Sequence, residues 1–187
     1  MEPVEINAGE YYLRHLRADD RIDDSAALVA AFADPEIRRW QGGLPVDDVA
    51  AAHKYVEFRG WQWDSDQRYS WAVCDQLLGT AVGEVALKDV DPHNGSAELV
   101  CWTAPEHRGR GVAVQAAGAV IRFGFGGVDL HRISYRHAEG NASSRRVAEK
   151  SGFTLEGRLR GAQLVQGAHH DLLIWSRLTT DPEPGTT

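Results

Sequence analysis

The chain has 187 residues, of which 43% are hydrophobic and 25% charged, with 20 Lys and Arg against 27 Asp and Glu. This balance is ordinary for one globular domain and excludes disordered and collagen-like classes. The formal net charge of −7 argues against a nucleic-acid partner, because no broad basic surface is available for counterion release. Apolar runs are all shorter than the roughly 18 residues that a membrane span needs.

The first half of the sequence predicts strands and helices in alternation. Residues 12–17 alternate between apolar and polar side chains, as a half-buried strand does. Asp19 or Asp20 can cap the first turn of a helix that Pro35 would end. The further predicted elements are a helix at 47–61 with Val49, Ala52 and Val56 on its buried face, strands at 70–78 and 81–88, and a turn at 91–95.

The second half predicts a strand at 97–103, a helix at 112–125, a strand at 131–137, a helix at 141–151, and strands near 153–159 and 171–178. This order predicts one domain over residues 1–178 of the α/β (α+β) class, with a single mixed, mostly antiparallel sheet flanked by helices. It matches neither a barrel nor a regular doubly wound fold. Residues 179–187 lack apolar anchors and are expected to form a disordered tail.

The most informative segment is residues 97–113, a strand that runs into a Gly-rich turn and then an apolar helix. Gly109 and Gly111 allow a tight backbone curl. The amides that follow have no intrahelical partner and, with the helix dipole, form a site for phosphate or pyrophosphate. A P-loop is excluded because no Lys-Ser/Thr pair follows Gly111. A dinucleotide fingerprint is excluded because Val114 stands where a third Gly or Ala is required.

Residues 108–113, Arg-Gly-Arg-Gly-Val-Ala, fit the pattern Arg/Gln-x-x-Gly-x-Gly/Ala. This resembles the pyrophosphate loop of the Gcn5-related N-acetyltransferase (GNAT) superfamily. Residues 141–153 begin Asn-Ala-Ser-Ser and end Gly-Phe, and they resemble the Asn-x-x-Ser helix and following Gly-Phe of the RimJ/RimL-type branch. The resemblance covers residues 12–178 and is specific between 97 and 153. A plain Gly-rich turn, a helix N-cap and a helix stop are the structural alternatives.

The resemblance implies an N-acetyltransferase with acetyl-CoA as cosubstrate, a GNAT-type fold, and direct transfer to a primary amine. In the resembled family the strand before the loop splays from its neighbour, and its free backbone groups hold the pantetheine arm and the thioester carbonyl. The implied cofactor-binding residues are Cys101, Trp102, Thr103, Arg108, Gly109, Arg110, Gly111, Val112, Ala113, Asn141 and Ser144. Cys101 is expected to be a small buried residue, because direct transfer needs no acyl-enzyme.

Glu98, on the strand that leads to the cofactor, is the first candidate for the general base, and a solvent-facing strand residue is the alternative for it. Glu84 and Asp171 are the second and third candidates. Many members of the superfamily use a Tyr after the last helix as general acid. The last Tyr here is Tyr135, so the usual position for that role is not filled. The resemblance to the RimJ/RimL-type branch implies Ser144, the Ser of its Asn-x-x-Ser motif, as the candidate, and a helix-surface Ser is the alternative.

The predicted substrate-binding residues are Trp40, Trp63, Tyr69, Glu84 and Asp171. Aromatic walls suit an apolar or ring-bearing amine, although core packing is the stronger explanation for such residues. No metal is predicted. Cys74 and Cys101 are too few for a cysteine site, and the adjacent His169 and His170 would point to opposite faces of a strand. The expected acceptor is a peptide N-terminal amine or a small primary amine.

Other functions remain open at this stage. The same fold could serve as a non-catalytic acyl-CoA sensor or partner module, or it could use another acyl-CoA. A nucleic-acid or membrane partner is not expected, and a homodimer is possible because exposed strand edges permit one. The acidic N-terminus has no apolar stretch of the secretory type, so a cytoplasmic location is expected.

Overall fold

The computed structural model describes residues 1–41 and 45–184. Its strands are β1 (Ile6–Ala8), β2 (Tyr11–His15), β3 (Arg68–Asp75), β4 (Ala81–Asp91), β5 (Ser96–Thr103), β6 (Arg132–Ala138), β7 (Thr154–Val165) and β8 (Ala168–Leu178). Its helices are α1 (Ser25–Phe32), α2 (Pro35–Gln41), α3 (Val49–Asp64), α4 (Val112–Gly127) and α5 (Ala142–Lys150), with a short 3₁₀ turn at Pro105–His107.

The strands form one sheet in the order β1-β2-β3-β4-β5-β6-β8-β7. Neighbouring strands in it are antiparallel except β5 and β6, which are parallel. The prediction of one mixed, mostly antiparallel sheet flanked by helices, in the α/β (α+β) class, is confirmed.

Two apolar cores lie on opposite faces of the sheet. On β3, Trp71 packs in the core that contains α4 and α5, whereas its neighbour Ala72 packs in the core that contains α1, α2 and α3. Adjacent strand residues point to opposite faces, so the helices divide into two layers with the sheet between them. Val49 was expected on the buried face of α3, but it is 52% exposed, because the face that packs on the sheet carries Ala52 and Val56.

The first helix differs from its prediction at both ends. The Asp19 side chain accepts from the amides of Arg21 and Ile22 at 2.9 and 3.1 Å, which closes a turn, and α1 begins only at Ser25. Pro35 was expected to end a helix, but it begins α2 instead. Proline suits the first helical position, and the Asp34 carboxylate accepts from the Ile37 amide at 2.9 Å.

The C-terminal strands are longer than predicted and form a tight hairpin. Gln166 and Gly167 both have positive φ, 48° and 82°, as a two-residue hairpin turn requires. The residues between 159 and 171 show no clear alternation because β7 is an edge strand that is exposed over most of its length. Likewise β1, a three-residue edge strand, was not predicted.

The segment that follows β8 is described as far as Pro184. The Asp181 carboxylate accepts from the Leu178 amide at 2.9 Å, and Glu183 forms an ion pair with Arg177 at 3.0 Å. Residues 185–187 of the predicted tail lie outside the described residues. The domain boundary at residue 178 stays a prediction.

A buried ion pair fastens β2 to the start of α1. The Arg14 guanidinium donates twice to the Asp24 carboxylate, at 2.7 Å for each bond, and the two side chains are 4% and 3% exposed. Loss of one partner leaves a charge that is buried without compensation.

We expect Asp24→Asn to lower the free energy of unfolding by about 3 kcal/mol, measured by urea denaturation. The control is Glu149→Gln, which breaks the exposed Arg145–Glu149 pair on α5 and should cost less than about 0.5 kcal/mol. Equal losses in the two variants would contradict this account.

Candidate active site

The strands β5 and β6 separate partway along their length. Their parallel ladder joins Ser96–Leu99 to Arg132–Tyr135 and then stops, although the strands continue to Thr103 and Ala138. On their other edges, β5 stays paired with β4 and β6 stays paired with β8. The sheet therefore opens between β5 and β6, and in the described chain each strand has an edge there without a strand partner.

The backbone groups of Cys101 and Thr103 face this opening. Alternate residues of an antiparallel strand direct their N–H and C=O groups to the same side. Ala104, just past the end of β5, donates its amide to the Val82 carbonyl of β4 at 2.9 Å, so the backbone groups of Trp102 face β4 and those of its neighbours face the opening. The Cys101 carbonyl accepts from the Gln41 side chain at 3.0 Å. This edge thus offers free hydrogen-bonding groups to an extended ligand.

The opening continues into a cavity of about 710 Å³. The predicted cofactor-binding residues that line it are Cys101, Trp102, Thr103, Arg108, Gly109, Gly111, Val112, Ala113, Asn141 and Ser144. Arg110 is exposed and lies outside this lining. The structure therefore brings the two sequence motifs, which are about 30 residues apart in the chain, to one cavity.

The Gly-rich loop has the backbone shape that an anion site needs. Gly109 and Gly111 have φ of 78° and 79°, in the left-handed region that favours glycine. No atom lies within 4 Å of the position that a Cβ of Gly109 would take, so this side of the loop is open. Gly111 is the N-cap of α4, and the first-turn amides that follow lack intrahelical partners. The loop therefore fits a pyrophosphate group.

Arg108 connects this loop to the start of α2. Its guanidinium donates to the Asp34 carboxylate at 2.7 and 3.3 Å while it still lines the cavity. This hydrogen bond lowers the pKa of Asp34. The loop and α2 are thus held in a fixed relation by a charged pair.

The α5 side of the cavity carries hydroxyl groups. Asn141 is the N-cap of α5 and its side chain accepts from the Ser144 amide at 3.0 Å. The Tyr135 hydroxyl lies 3.7 Å from the Cys101 sulfur. Burial and the nearby Cys101 raise the pKa of Tyr135 well above its ordinary value, and a hydrogen bond with Ser144 opposes the shift. Tyr135 thus keeps its proton beside both residues.

Sequence reasoning missed Tyr135 because it searched for a tyrosine after the last helix. The alternation of residues 131–137 already places Tyr135 on one face of a predicted strand. Tyr135 pairs with Leu99 at the last rung of the β5–β6 ladder, which places its side chain at the opening. Only the strand order shows that this part of β6 lies at the opening.

Glu98 lies in the cavity wall and is 6% exposed, so it is not a solvent-facing strand residue. Its carboxylate accepts from Arg136 Nε at 2.6 Å and forms an ion pair with Lys88 at 3.4 Å. Both cations also line the cavity. The carboxylate is thereby held in one orientation beside the opening.

Glu84 lies outside the cavity lining and is fully buried. Its carboxylate accepts from the Tyr55 hydroxyl at 2.5 Å and from Trp102 Nε1 at 3.1 Å. Burial alone would raise the pKa of Glu84, but the cations Arg68 and Arg59 hold the pKa below its ordinary value. The structure thus places this candidate base within a core network instead of beside a substrate.

Of the other predicted acceptor residues, only Trp40 lines the cavity. Trp63 is fully buried against Trp71, with ring centroids 4.8 Å apart, because the end of α3 packs on the sheet. Tyr69 donates to Asp66 at 2.8 Å, and Asp171 accepts from the Gly161 amide at 2.8 Å within the β7–β8 hairpin. None of these three contacts the opening.

The wall around Trp40 comes from α2 and from the part of β7 beyond residue 159, which the sequence did not predict. Glu36, Ile37 and Gln41 of α2 lie on one side, and residues 162–164 of β7 lie on the other. The Trp40 indole donates to Glu36 at 2.9 Å. This wall faces the sheet opening from the α1–α3 layer, whereas the Gly-rich loop begins the α4–α5 layer.

Two other kinds of site receive no support from the described residues. In residues 1–41 and 45–184, no three or more His, Cys, Asp or Glu side chains are grouped to hold a metal ion. No helix within those ranges has the length and apolar character to cross a membrane.

Comparison with known proteins places this geometry in a family. Residues 11–154 match the family described as the acetyltransferase (GNAT) domain. A Bacillus subtilis protein, provisionally named ribosomal N-acetyltransferase YdaF, is 36% identical over 105 residues, 56% of this chain and 57% of that protein. The ribosomal-protein-serine acetyltransferase of Escherichia coli is 30% identical over 104 residues, 56% of each chain. The chain thus spans little more than half the length of these two relatives.

Among solved structures, Mycobacterium smegmatis RimJ in complex with CoA-disulfide has the same fold. Its TM-score is 0.83 at 24% identity, with 96% of this chain and 90% of that chain covered. The family match spans more than half of the sequence and contains the Gly-rich loop together with the Asn141–Ser144 motif. The predicted GNAT family is confirmed: the chain belongs to the GNAT acetyltransferases, a family whose cosubstrate is acetyl-CoA.

Proposed function

We propose that the protein is an N-acetyltransferase that moves an acetyl group from acetyl-CoA directly to a primary amine, with a peptide or protein N-terminal amine as the first acceptor class. One observation carries the proposal. The free edge of β5 and the N-terminus of α4 share one continuous cavity. A pantetheine arm with its amides matches the first feature, and a pyrophosphate matches the second.

Acetyl-CoA, when bound, supplies the activated acyl group. The chain supplies position and charge. Backbone groups of Cys101 and Thr103 would align the arm as a short added strand. Glu98 would remove the proton from the amine, and Ser144 would donate a proton to the departing sulfur. Tyr135, which lines the same cavity as Ser144, would return that proton.

The acceptor would enter between α2 and the β7–β8 hairpin. Among the described residues, the carboxylates that line the cavity are Glu36, near this entrance, and Glu98, at the opening. Trp40 contributes an aromatic wall to the same cavity and donates to Glu36. The name of the Escherichia coli relative supports a protein acceptor. A small primary amine is the alternative within the same chemistry.

The first test of cofactor binding is thermal unfolding with acetyl-CoA, CoA and NAD. At about 100 times its dissociation constant, either CoA species should add about 2.7 kcal/mol and raise the midpoint by several degrees, whereas NAD should not. Gly111→Val should abolish this response, because a β-branched residue disfavours the positive φ found there.

The matched control is Gly126→Ala, a helical position of α4 where an added Cβ meets no atom within 4 Å. It should keep the full response. If none of the three ligands changes the unfolding midpoint of the unmodified protein, the cofactor assignment is overturned and residues 108–113 are only a structural turn.

Glu98→Gln should lower kcat about 100-fold or more and leave the Kd for acetyl-CoA unchanged, as expected for loss of a general base. Steady-state assays of thiol release with peptide and small-amine acceptors measure the rate, and calorimetry measures the Kd. Glu36→Gln is the control: it removes the other cavity carboxylate, at the entrance, and should keep kcat.

Ser144→Ala should also lower kcat. Equal turnover of the Glu98 variant and the unmodified protein would refute the assignment of the base. If the unmodified protein binds acetyl-CoA but turns over no amine, the sensor alternative holds instead.

Direct transfer predicts that the thiols are inert. Burial raises the pKa of both Cys101 and Cys74 to about 11, so at pH 8 roughly one thiol in a thousand is ionised. Labelling with Ellman's reagent should be slow at pH 8, should speed up about tenfold per pH unit up to pH 10, and should reach two thiols after unfolding. Fast labelling of the native protein at pH 7 would contradict this and indicate an activated nucleophile.

A further inference from the structure

Gln41, the last residue of α2, reaches the free edge of β5. Its Nε2 donates to the Cys101 carbonyl at 3.0 Å, and both residues line the cavity. That is the one hydrogen bond of its side chain to the described residues, so the second amide hydrogen has no protein partner there. A neutral carboxamide thus lies inside the opening with one donor anchored and one donor free.

The position of Cys101 along the opening determines what that free donor meets. The outer end of the opening lies beyond Thr103, where the chain leads to Gly111 and the anion site. The inner end closes at Leu99, where the ladder with β6 begins. Cys101 is the innermost residue past the ladder whose backbone groups face the opening. The reactive end of an arm anchored at Gly111 therefore lies beside Cys101.

The helix that carries Gln41 is held at both ends. At its start, Asp34 accepts from the Ile37 amide and pairs with Arg108 of the Gly-rich loop. Ile37, within the helix, is 4% exposed in the core of the α1–α3 layer. Gln41 itself is the attachment at the other end. The carboxamide is consequently preorganised, which is the condition under which a donor contributes most to catalysis.

We propose that Gln41 is a catalytic residue whose Nε2–H, together with the Cys101 backbone N–H, donates to the thioester carbonyl oxygen. The inference rests on the proposed function. As the amine nitrogen bonds to the acyl carbon, one electron pair of the carbonyl moves onto the oxygen, where the two donors stabilise the charge. The pair returns as the C–S bond breaks, the sulfur leaves with the bonding electrons, and the amine proton goes to Glu98.

The alternative is that Gln41 competes with the cosubstrate for the Cys101 carbonyl. Gln41 could occupy the Cys101 carbonyl only while no arm is bound, and the ligand would then displace it. The two accounts predict opposite changes on removal of the carboxamide. A catalytic donor contributes to the rate, whereas a competitor weakens binding of the cosubstrate.

The test compares Gln41→Ala and Gln41→Glu with the control Gln76→Ala, which removes a glutamine that donates its Nε2–H to the Gly9 carbonyl at 2.7 Å and lies outside the cavity lining. Gln41→Glu keeps the volume but has no donor when ionised. Calorimetry gives the Kd for acetyl-CoA, and isotope-edited infrared spectroscopy with carbonyl-labelled acetyl-CoA gives the stretch frequency of the bound thioester. The infrared readout needs no acceptor amine.

In the unmodified protein and in Gln76→Ala, we expect the bound carbonyl to absorb at lower frequency than in water. Both Gln41 variants should lose part of this shift, keep the Kd, and lose about 100-fold in kcat, which is typical for one oxyanion donor. Tighter acetyl-CoA binding by Gln41→Ala, or an unchanged stretch frequency, would overturn the inference. Failure of the unmodified protein to bind acetyl-CoA would overturn the proposed function and the inference with it.

Discussion

The β5–β6 ladder joins four residues of each strand, and the site depends on where it stops. On its other edge, β5 pairs with β4 and β6 pairs with β8, in both cases antiparallel and over a longer stretch. The connection through α4 requires the two strands to run parallel. Buried backbone groups need partners, so a ladder that ends within the sheet leaves groups that a side chain, water or ligand must satisfy. Gln41 satisfies one of them.

A network of hydrogen bonds and ion pairs holds the part of β5 that borders the opening. Trp102 donates to Glu84, and Glu84 in turn binds Tyr55, Arg59 and Arg68. The Trp102 ring also packs edge-on against Phe32 of α1, with centroids 5.6 Å apart. This network holds Trp102, the residue between Cys101 and Thr103. The free groups of Cys101 and Thr103 are therefore presented by a strand with little freedom to move.

Local signals in the sequence were sufficient for some parts of the site. The Gly-rich loop, α4 and the Asn141 cap follow from backbone conformation and capping, which depend on neighbouring residues. Pro35 shows the limit of local reasoning, since proline both ends helices and begins them. Because the sequence did not predict α2, Gln41 and Glu36 were not among the candidate residues, and Trp40 was the one residue predicted from that wall.

The remaining parts depend on contacts between distant segments. Glu84 and Glu98 both lie on alternating strands, and the sequence alone does not say which one reaches the opening. Register decides it: Glu98 pairs with Lys88 near the end of the ladder, whereas Glu84 pairs with Trp102 and is covered by α3. Tyr135 likewise becomes a site residue only because β6 lies beside β5. Trp63 and Tyr69 were predicted by residue type, and tertiary packing placed them elsewhere.

Because the opening passes between two strands of one sheet, its two mouths lie in different helix layers. Ile37 of α2 belongs to the core on one face and Ala148 of α5 to the core on the other. Under the proposed function, donor and acceptor would approach the reacting atoms from opposite sides, so neither would have to leave before the other enters. An acceptor attached to a long polypeptide would then keep the rest of its chain in solvent on its own side. The kinetic expectation is a ternary complex, seen as intersecting rather than parallel lines in reciprocal plots.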